Sequence, residues 1–279
     1  MRKLTRKEKS YPQLLKEIYR PPSPLYLEGE LPAGDYIAVV GARKVSSYGK
    51  QAAELIVSGL AQAGLVIVSG LANGVNTIAH QTALAQKGKT LAVLAGGFDH
   101  IYPSQNIKLA EKIPLLSEHP PEVKPLRQYF PSRNRIISGL CLGVVIIEAG
   151  ERSGTSITAN FALEQGREVF ALPGSIFWEN SRGCHRLIQR GAKLITSVSD
   201  ILEELNLRNV QKLFAEEKII AENQEERIIL KTLSREPLHI DELSRKSQIS
   251  SRELNSLLTL MELSGKVKNL GNQNYVIGK

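Results

Sequence analysis

A chain of 279 residues with 42% hydrophobic and 23% charged side chains has room for one large domain and a small one, and is neither disordered nor fibrous. No apolar run approaches the ~18 residues of a spanning helix, and no apolar signal core follows the basic N-terminus, so a cytoplasmic protein is expected. A net charge of +8 permits a polyanionic partner without establishing one. Two cysteines, Cys141 and Cys184, make no disulfide framework and lack metal-ligand spacing, so both are expected as buried thiols.

Residues 1–34 are rich in proline (Pro12, Pro21, Pro22, Pro24, Pro32) and predict a short helix and an extended wrap over the core. From 35 to 208 apolar runs alternate with helical patterns. Strands are predicted at Tyr36–Val40, Leu65–Val68, Thr90–Ala95, Val144–Glu148, Glu168–Leu172 and Lys193–Thr196. Helices are predicted at Gly49–Ala63, Val75–Gln86, Ser104–Lys112, Arg133–Cys141, Ser156–Gln165, Arg182–Arg190 and Ser199–Leu205. Gly64, Gly88, Gly166 and Gly191 each follow a helix pattern, as C-terminal caps would. Continuous β-branched strands separated by helices imply a parallel sheet covered on both faces. The expected fold is therefore α/β, a Rossmann-like doubly wound sheet. A charged linker is expected at 209–222. Three helical patterns and two strands around Gly271-Asn272 then predict a winged-helix domain over 223–279.

Four small turns fall where strands feed helices. They are Gly41-Ala42-Arg43-Lys44, Ser69-Gly70-Leu71-Ala72-Asn73-Gly74, Phe130-Pro131-Ser132-Arg133-Asn134-Arg135 and Gly150-Glu151-Arg152-Ser153-Gly154-Thr155. In such a sheet, strand C-termini and helix N-termini share the edge where ligands bind. Helix N-termini favour anions, and arginine in a first turn works against that dipole by roughly 0.3–1 kcal/mol. Repeated arginine there suggests an external chain of phosphates, which guanidinium forks match. Arg43, Lys44, Arg133, Arg135 and Arg152 are the candidate cations. Ser69, Gly70, Gly74, Asn134, Ser153, Gly154 and Thr155 supply amides and small polar groups. Phe130 can stack on an unpaired base or sit in the core; Arg135 can alternatively pair with Glu148 or Glu151.

Cofactor and enzyme chemistry find little support. The first turn is not G-x-G-x-x-G, and no acidic residue follows the second strand to take a ribose hydroxyl, so no dinucleotide is expected. Zinc spacing, a Walker A lysine motif and a G-x-S-x-G elbow are absent. His80 falls inside a helix, where packing is its ordinary role. Residues 211–279 carry 11 basic and 10 acidic side chains, which weakens the winged helix as a DNA reader and with it a transcription-regulator reading.

Taken in order, these turns resemble the bacterial DNA-processing protein DprA (Smf) family. The matching residues include Val39–Arg43 with Tyr48-Gly49, Ser69–Ala72 with Gly74 and Ala79-His80, Tyr102-Pro103 and Ser117-Glu118. They continue through Phe130-Pro131 with Arg133–Gly139, Glu148-Ala149, Arg152-Ser153-Gly154, Ile157-Thr158-Ala159, Ala162–Gly166, Pro173-Gly174-Ser175 and Ser181-Arg182-Gly183-Cys184. Coverage runs from about residue 11 to 205, and His239-Ile240-Asp241-Glu242-Leu243 looks like the family's small winged helix. The resemblance implies a non-enzymatic, homodimeric protein that binds and protects single-stranded DNA and helps load the recombinase RecA during natural transformation. DNA contacts would then fall on Arg43 and the Phe130–Arg135 turn, with the glycine-serine turns holding phosphates.

Departures from the family pattern are Ala42 for the usual serine and Asn76 where Asp is frequent. The helical domain that many members carry ahead of the core is not expected in the 34 residues preceding it. The alternative is a phosphoribohydrolase of the lysine-decarboxylase-like (LOG) group, with a P-G-G-x-G-T-x-x-E pattern. Here the aligned stretch ends in Thr158 where that chemistry needs glutamate.

Overall fold

Short runs of valine, isoleucine and leucine form the strands of a nine-stranded sheet, and the helices between them bury apolar stripes on both of its faces. The computed structural model describes all residues except 152, 208–222, 234–236 and 279. The chain divides into two units, Met1–Phe214 and Ala215–Lys279, each packed mainly on itself.

The strands of the first unit are β1 (Arg2–Leu4), β2 (Leu25–Glu28), β3 (Tyr36–Val40), β4 (Val66–Ser69), β5 (Thr90–Val93), β6 (Leu115–Ser117), β7 (Gly143–Ile146), β8 (Glu168–Ala171) and β9 (Lys193–Leu194). Their helices are α1 (Gln13–Lys16), α2 (Ser47–Gln62), α3 (Val75–Ala85), α4 (Ile107–Ala110), α5 (Tyr129–Leu140), α6 (Gly154–Glu164), α7 (Glu179–Gln189) and α8 (Val198–Glu204). The sheet order is β1-β2-β6-β5-β4-β3-β7-β8-β9, with β3 to β9 parallel. From β3 the chain steps outward to β6, then returns to place β7 on the other side of β3. That reversal is a topological switch point, and it opens a crevice beyond the carboxyl ends of β3 and β7. Leu15 of α1, Ile136 of α5, Ala159 of α6 and Leu187 of α7 are in the core of one face. Ile56 of α2, Ala79 of α3 and Ile201 of α8 are in that of the other.

The fold is the Rossmann-like one expected, with four local corrections. The N-terminal segment does more than wrap: β2 pairs antiparallel with β6, and β1 with β2, extending the sheet. Residues 104–112 form a 3-10 turn (Ser104–Asn106) and the short α4 rather than one helix. Gly64, Gly166 and Gly191 take the positive φ of a cap, but at the end of α3 it is Lys87 that does so (φ 55°). Gly88 is instead a close-packing position, because a Cβ there would lie 2.7 Å from the Ala61 methyl. Finally, α5 begins at Tyr129, four residues before the expected Arg133. Pro131 falls in its first turn, where a missing N–H costs no intrahelical bond.

The second unit has helices Gln224–Thr232, Ile240–Ser247 and Ser251–Leu263, and a small sheet ordered β10 (Leu238–His239), β12 (Asn274–Ile277), β11 (Val267–Asn269). Ile229, Leu243, Leu254, Leu258, Met261 and Tyr275 make its own core. Asn223 and Ser250 cap the first and third helices, the latter in a full capping box with Glu253. The expected linker, 209–222, lies outside the described residues.

Candidate functional site

The crevice at the switch point is an open cleft of about 1190 Å³. The β3–α2 loop (Arg43, Lys44), the first turns of α5 (Phe130, Asn134), the cap and first residues of α6 (Ser153, Gly154, Thr155) and the start of α7 (Glu179, Asn180) form its walls. Among the described residues, four basic side chains (Arg43, Lys44, Arg127, Arg133) and two acidic ones (Glu151, Glu179) line it. Glu151 is taken up by an ion pair with Arg186, so the local charge favours an anion.

The loop carrying Arg43 and Lys44 is held by a buried carboxylate. Glu148, at the end of the β7 run, accepts hydrogen bonds from the Ser46 amide (3.0 Å) and the Ser46 hydroxyl. Ser46 also caps α2, accepting from the Gly49 amide at 3.0 Å. Gly49 is small by necessity, since a Cβ there would run into the Glu148 carboxyl. Asn180 closes the arrangement by donating to the Lys44 carbonyl at 3.0 Å. With its backbone fixed, the loop projects Arg43 and Lys44 into solvent. The Arg43 guanidinium lies 5.6 Å from the centre of the Phe130 ring, within cation–π range. Phe130 is half-buried and meets Tyr102 edge-on at 5.9 Å. It is therefore a wall of the cleft rather than a core residue.

Arg43, Lys44, Phe130, Asn134, Ser153, Gly154 and Thr155 are thus brought together. Ser153 caps α6 by accepting from the Thr155 amide (3.2 Å) and also donates to its hydroxyl. Among the described residues, nothing would lie within 4 Å of a Cβ on Gly154, so they leave this backbone open to a close-lying ligand. Asn134, also lining the cleft, donates to the Gly154 carbonyl at 3.4 Å.

The remaining candidates are corrected by their surroundings. Arg133 is buried, and its guanidinium donates to the Gly70 carbonyl (2.7 Å) and to the Val93 carbonyl. Burial, and then the charge of Arg43, push its pKa down to about 10. It is a post joining the ends of β4 and β5, not a free phosphate clamp. Arg135 is ion-paired to Glu118, neither of the acids considered from sequence, and is not a cleft residue. The physical reason is rotation: residues two apart on a helix point about 200° apart, so Arg133 and Arg135 cannot share a target. Ser69 is fully buried and donates to the Val39 carbonyl at 2.7 Å. Gly70 is the space that admits Arg133, with a Cβ there only 2.6 Å from Nη2. Gly74 has φ 80°, and its missing Cβ makes room for the Ala42 and Arg43 carbonyls. All three glycine-serine positions build the loops instead of facing the cleft. Arg152 lies outside the described residues.

Sequence reasoning missed Arg127, Tyr102, Asn76 and Asn180 as lining residues. Tyr102 carried a signal as an aromatic before proline in the family pattern, whereas Arg127 sits in no recognisable motif. Thr158 lines the cleft, buried, at the position of the alternative enzyme's glutamate. Cys141 and Cys184 are free and buried, as expected, and burial raises both thiol pKa values. Among the described residues no group of three or more His, Cys, Asp or Glu could hold a metal, and no helix is long and apolar enough to cross a membrane.

A basic cleft at the switch point of a Rossmann-like sheet, followed by a winged helix, defines a two-unit α/β protein with a positively charged groove at its sheet edge. Comparison with known proteins makes this specific. A family described as DNA recombination-mediator protein A matches residues 2–206, and the DprA winged-helix domain matches residues 215–273. The chain belongs to the DprA (Smf) family of DNA-processing proteins. It is 50% identical over 210 residues to DNA processing protein DprA of Bacillus subtilis, covering 73% of this chain and 71% of that protein. Against the X-ray structure of Streptococcus pneumoniae DprA the TM-score is 0.71 at 46% identity, covering 73% of this chain and 74% of that one. Against DprA of Helicobacter pylori, solved for insight into that protein's single-stranded DNA binding mode, the TM-score is 0.66 at 30% identity, covering 72% and 95%.

Proposed function

We propose that the first unit binds single-stranded DNA in this cleft without catalysing a covalent change. The observation that carries the reading is the pairing of Arg43 with Phe130: a solvated cation 5.6 Å from the centre of an aromatic ring, both lining one groove open to solvent. A flexible polyanion with exposed bases satisfies both at once. Lys44 and Arg127 add charge, and the open backbone at Gly154 admits a phosphate. The H. pylori relative's single-stranded DNA binding mode supports the same ligand class. Against the phosphoribohydrolase, Thr158 offers a hydroxyl where a carboxylate is required, and Glu148 is engaged by Ser46.

The finer role, protecting incoming strands and loading a RecA-type recombinase as a homodimer during DNA uptake, rests on the family resemblance. The single-strand reading itself is tested by a titration with labelled oligonucleotides, single-stranded against duplex, at two salt concentrations. Preferential single-strand binding that weakens with salt is expected. Equal affinity for duplex, or release of free base from a nucleoside monophosphate, would overturn the reading. Stimulated recombinase assembly on coated DNA would test the loading role directly.

A further inference from the structure

Three large apolar side chains stand exposed in a row just outside the cleft: Ile176 (73%), Phe177 (86%) and Trp178 (46%). Leaving such groups in water forgoes the gain of burying them, and adjacent ones mark a contact surface. Their turn is well fixed. The Ser175 hydroxyl accepts from the Phe177 amide at 3.3 Å, and the Ser175 carbonyl accepts from the Trp178 amide at 3.1 Å. Trp178 leans on Tyr48 with ring centres 5.7 Å apart, and Tyr48 is tethered to the Pro173 carbonyl at 2.6 Å. Trp178 is thereby half-covered, while Phe177 is left outermost.

Position decides the occupant. Trp178 directly precedes Glu179 and Asn180, which line the cleft, and Asn180 is bonded to the Lys44 carbonyl. The β3–α2 loop thus meets Phe130 through Arg43 and is bonded through Asn180 to the helix start that directly follows Phe177 and Trp178. A chain of phosphates on Arg43 and Lys44 that continues past Asn180 would bring its bases to this second aromatic group. Stacking on such faces is tolerant of sequence, since every base has a π-face.

We propose that Phe177, backed by Trp178, is a second base-stacking platform, which takes an unpaired base of the strand as it leaves the cleft. This rests on the single-strand reading above and extends it beyond Phe130. The full chain would be titrated with a labelled oligodeoxythymidine and with an abasic deoxyribose-phosphate oligomer of equal length. Phe177→Ala is expected to weaken binding of the base-bearing strand roughly 5- to 150-fold. The abasic strand and the melting temperature should be unchanged, and Phe177→Trp should restore affinity. Unchanged affinity of Phe177→Ala for the base-bearing strand, or an equal loss on the abasic one, would overturn the platform while leaving the cleft intact. A change in molar mass by light scattering with DNA affinity unchanged would also overturn it, assigning the turn to a second copy. If the wild-type chain binds neither strand, the proposed function itself fails.

Discussion

Replacing Arg133 with methionine distinguishes a structural arginine from a ligand-holding one. Methionine keeps much of the apolar stem but removes the donors to the buried Gly70 and Val93 carbonyls. Each stranded carbonyl costs about 1–3 kcal/mol. Relief of a buried cation whose pKa is already depressed offsets part of that. The expected net loss is about 2–4 kcal/mol. For a unit of this size each kcal/mol moves Tm by about 2–4 °C, so melting should fall by roughly 4–16 °C. The assay pairs calorimetry with oligonucleotide titration below the lowered transition. Single-strand binding there should keep the wild-type salt slope. A variant that melts like the wild type but loses about 0.7 from that slope would refute the reasoning and make Arg133 a phosphate contact.

Other substitutions probe the remaining assignments. Arg43→Ala should weaken binding across all sequences and flatten log K against log salt by about 0.7, whereas Arg135→Ala, whose charge is spent on Glu118, should leave the slope unchanged. Equal flattening in both variants would put Arg135 back in the groove. Gly74→Ala forces a Cβ onto the Ala42 carbonyl at φ 80°, so about 1–3 kcal/mol of destabilisation should accompany weaker DNA binding in thermal and titration measurements. No change in either would show that this loop tolerates a side chain. His80 gives a pH dependence. The Thr90 hydroxyl donates to the Ile67 carbonyl (2.7 Å), so His80 Nδ1 must be the donor in its 2.7 Å bond to Thr90, and buried Nε2 stays unprotonated. Burial, then the charge of Arg133, lower its pKa from 6.5 to about 3. Below 6.5 the unfolded chain takes up a proton that the fold refuses, so stability declines as pH falls toward 3, by up to about 1.4 kcal/mol per pH unit. His80→Asn keeps a donor and removes the titration. Identical acid profiles for wild type and variant would reject this role.

The parallel strands were legible because β3, β4, β5, β7 and β8 are short apolar runs bounded by turns. β2 and β6 were not. Leu25–Glu28 follows a cluster of prolines, and Leu115–Ser117 is three residues long, so pairing partners decide their state. The site was half legible for a similar reason. Arg43 and Lys44 belong to a loop, and Ser153–Thr155 to a helix start, whose positions the topology fixes. Phe130–Arg135 reads as a turn feeding a helix from Arg133, whereas α5 already runs from Tyr129, and that difference hid which way its side chains face. Burial of Ser69 and Arg133 depends on carbonyls from neighbouring strands, which no local pattern announces.

The antiparallel addition of β2 against β6 has a practical side. The first 28 residues supply the outer border of the sheet from a separate stretch of sequence, so trimming them would strip one side of β6 of its partners. A shortened version would present a raw seam of unpaired amides and carbonyls, and neighbouring molecules would be inclined to zip onto it.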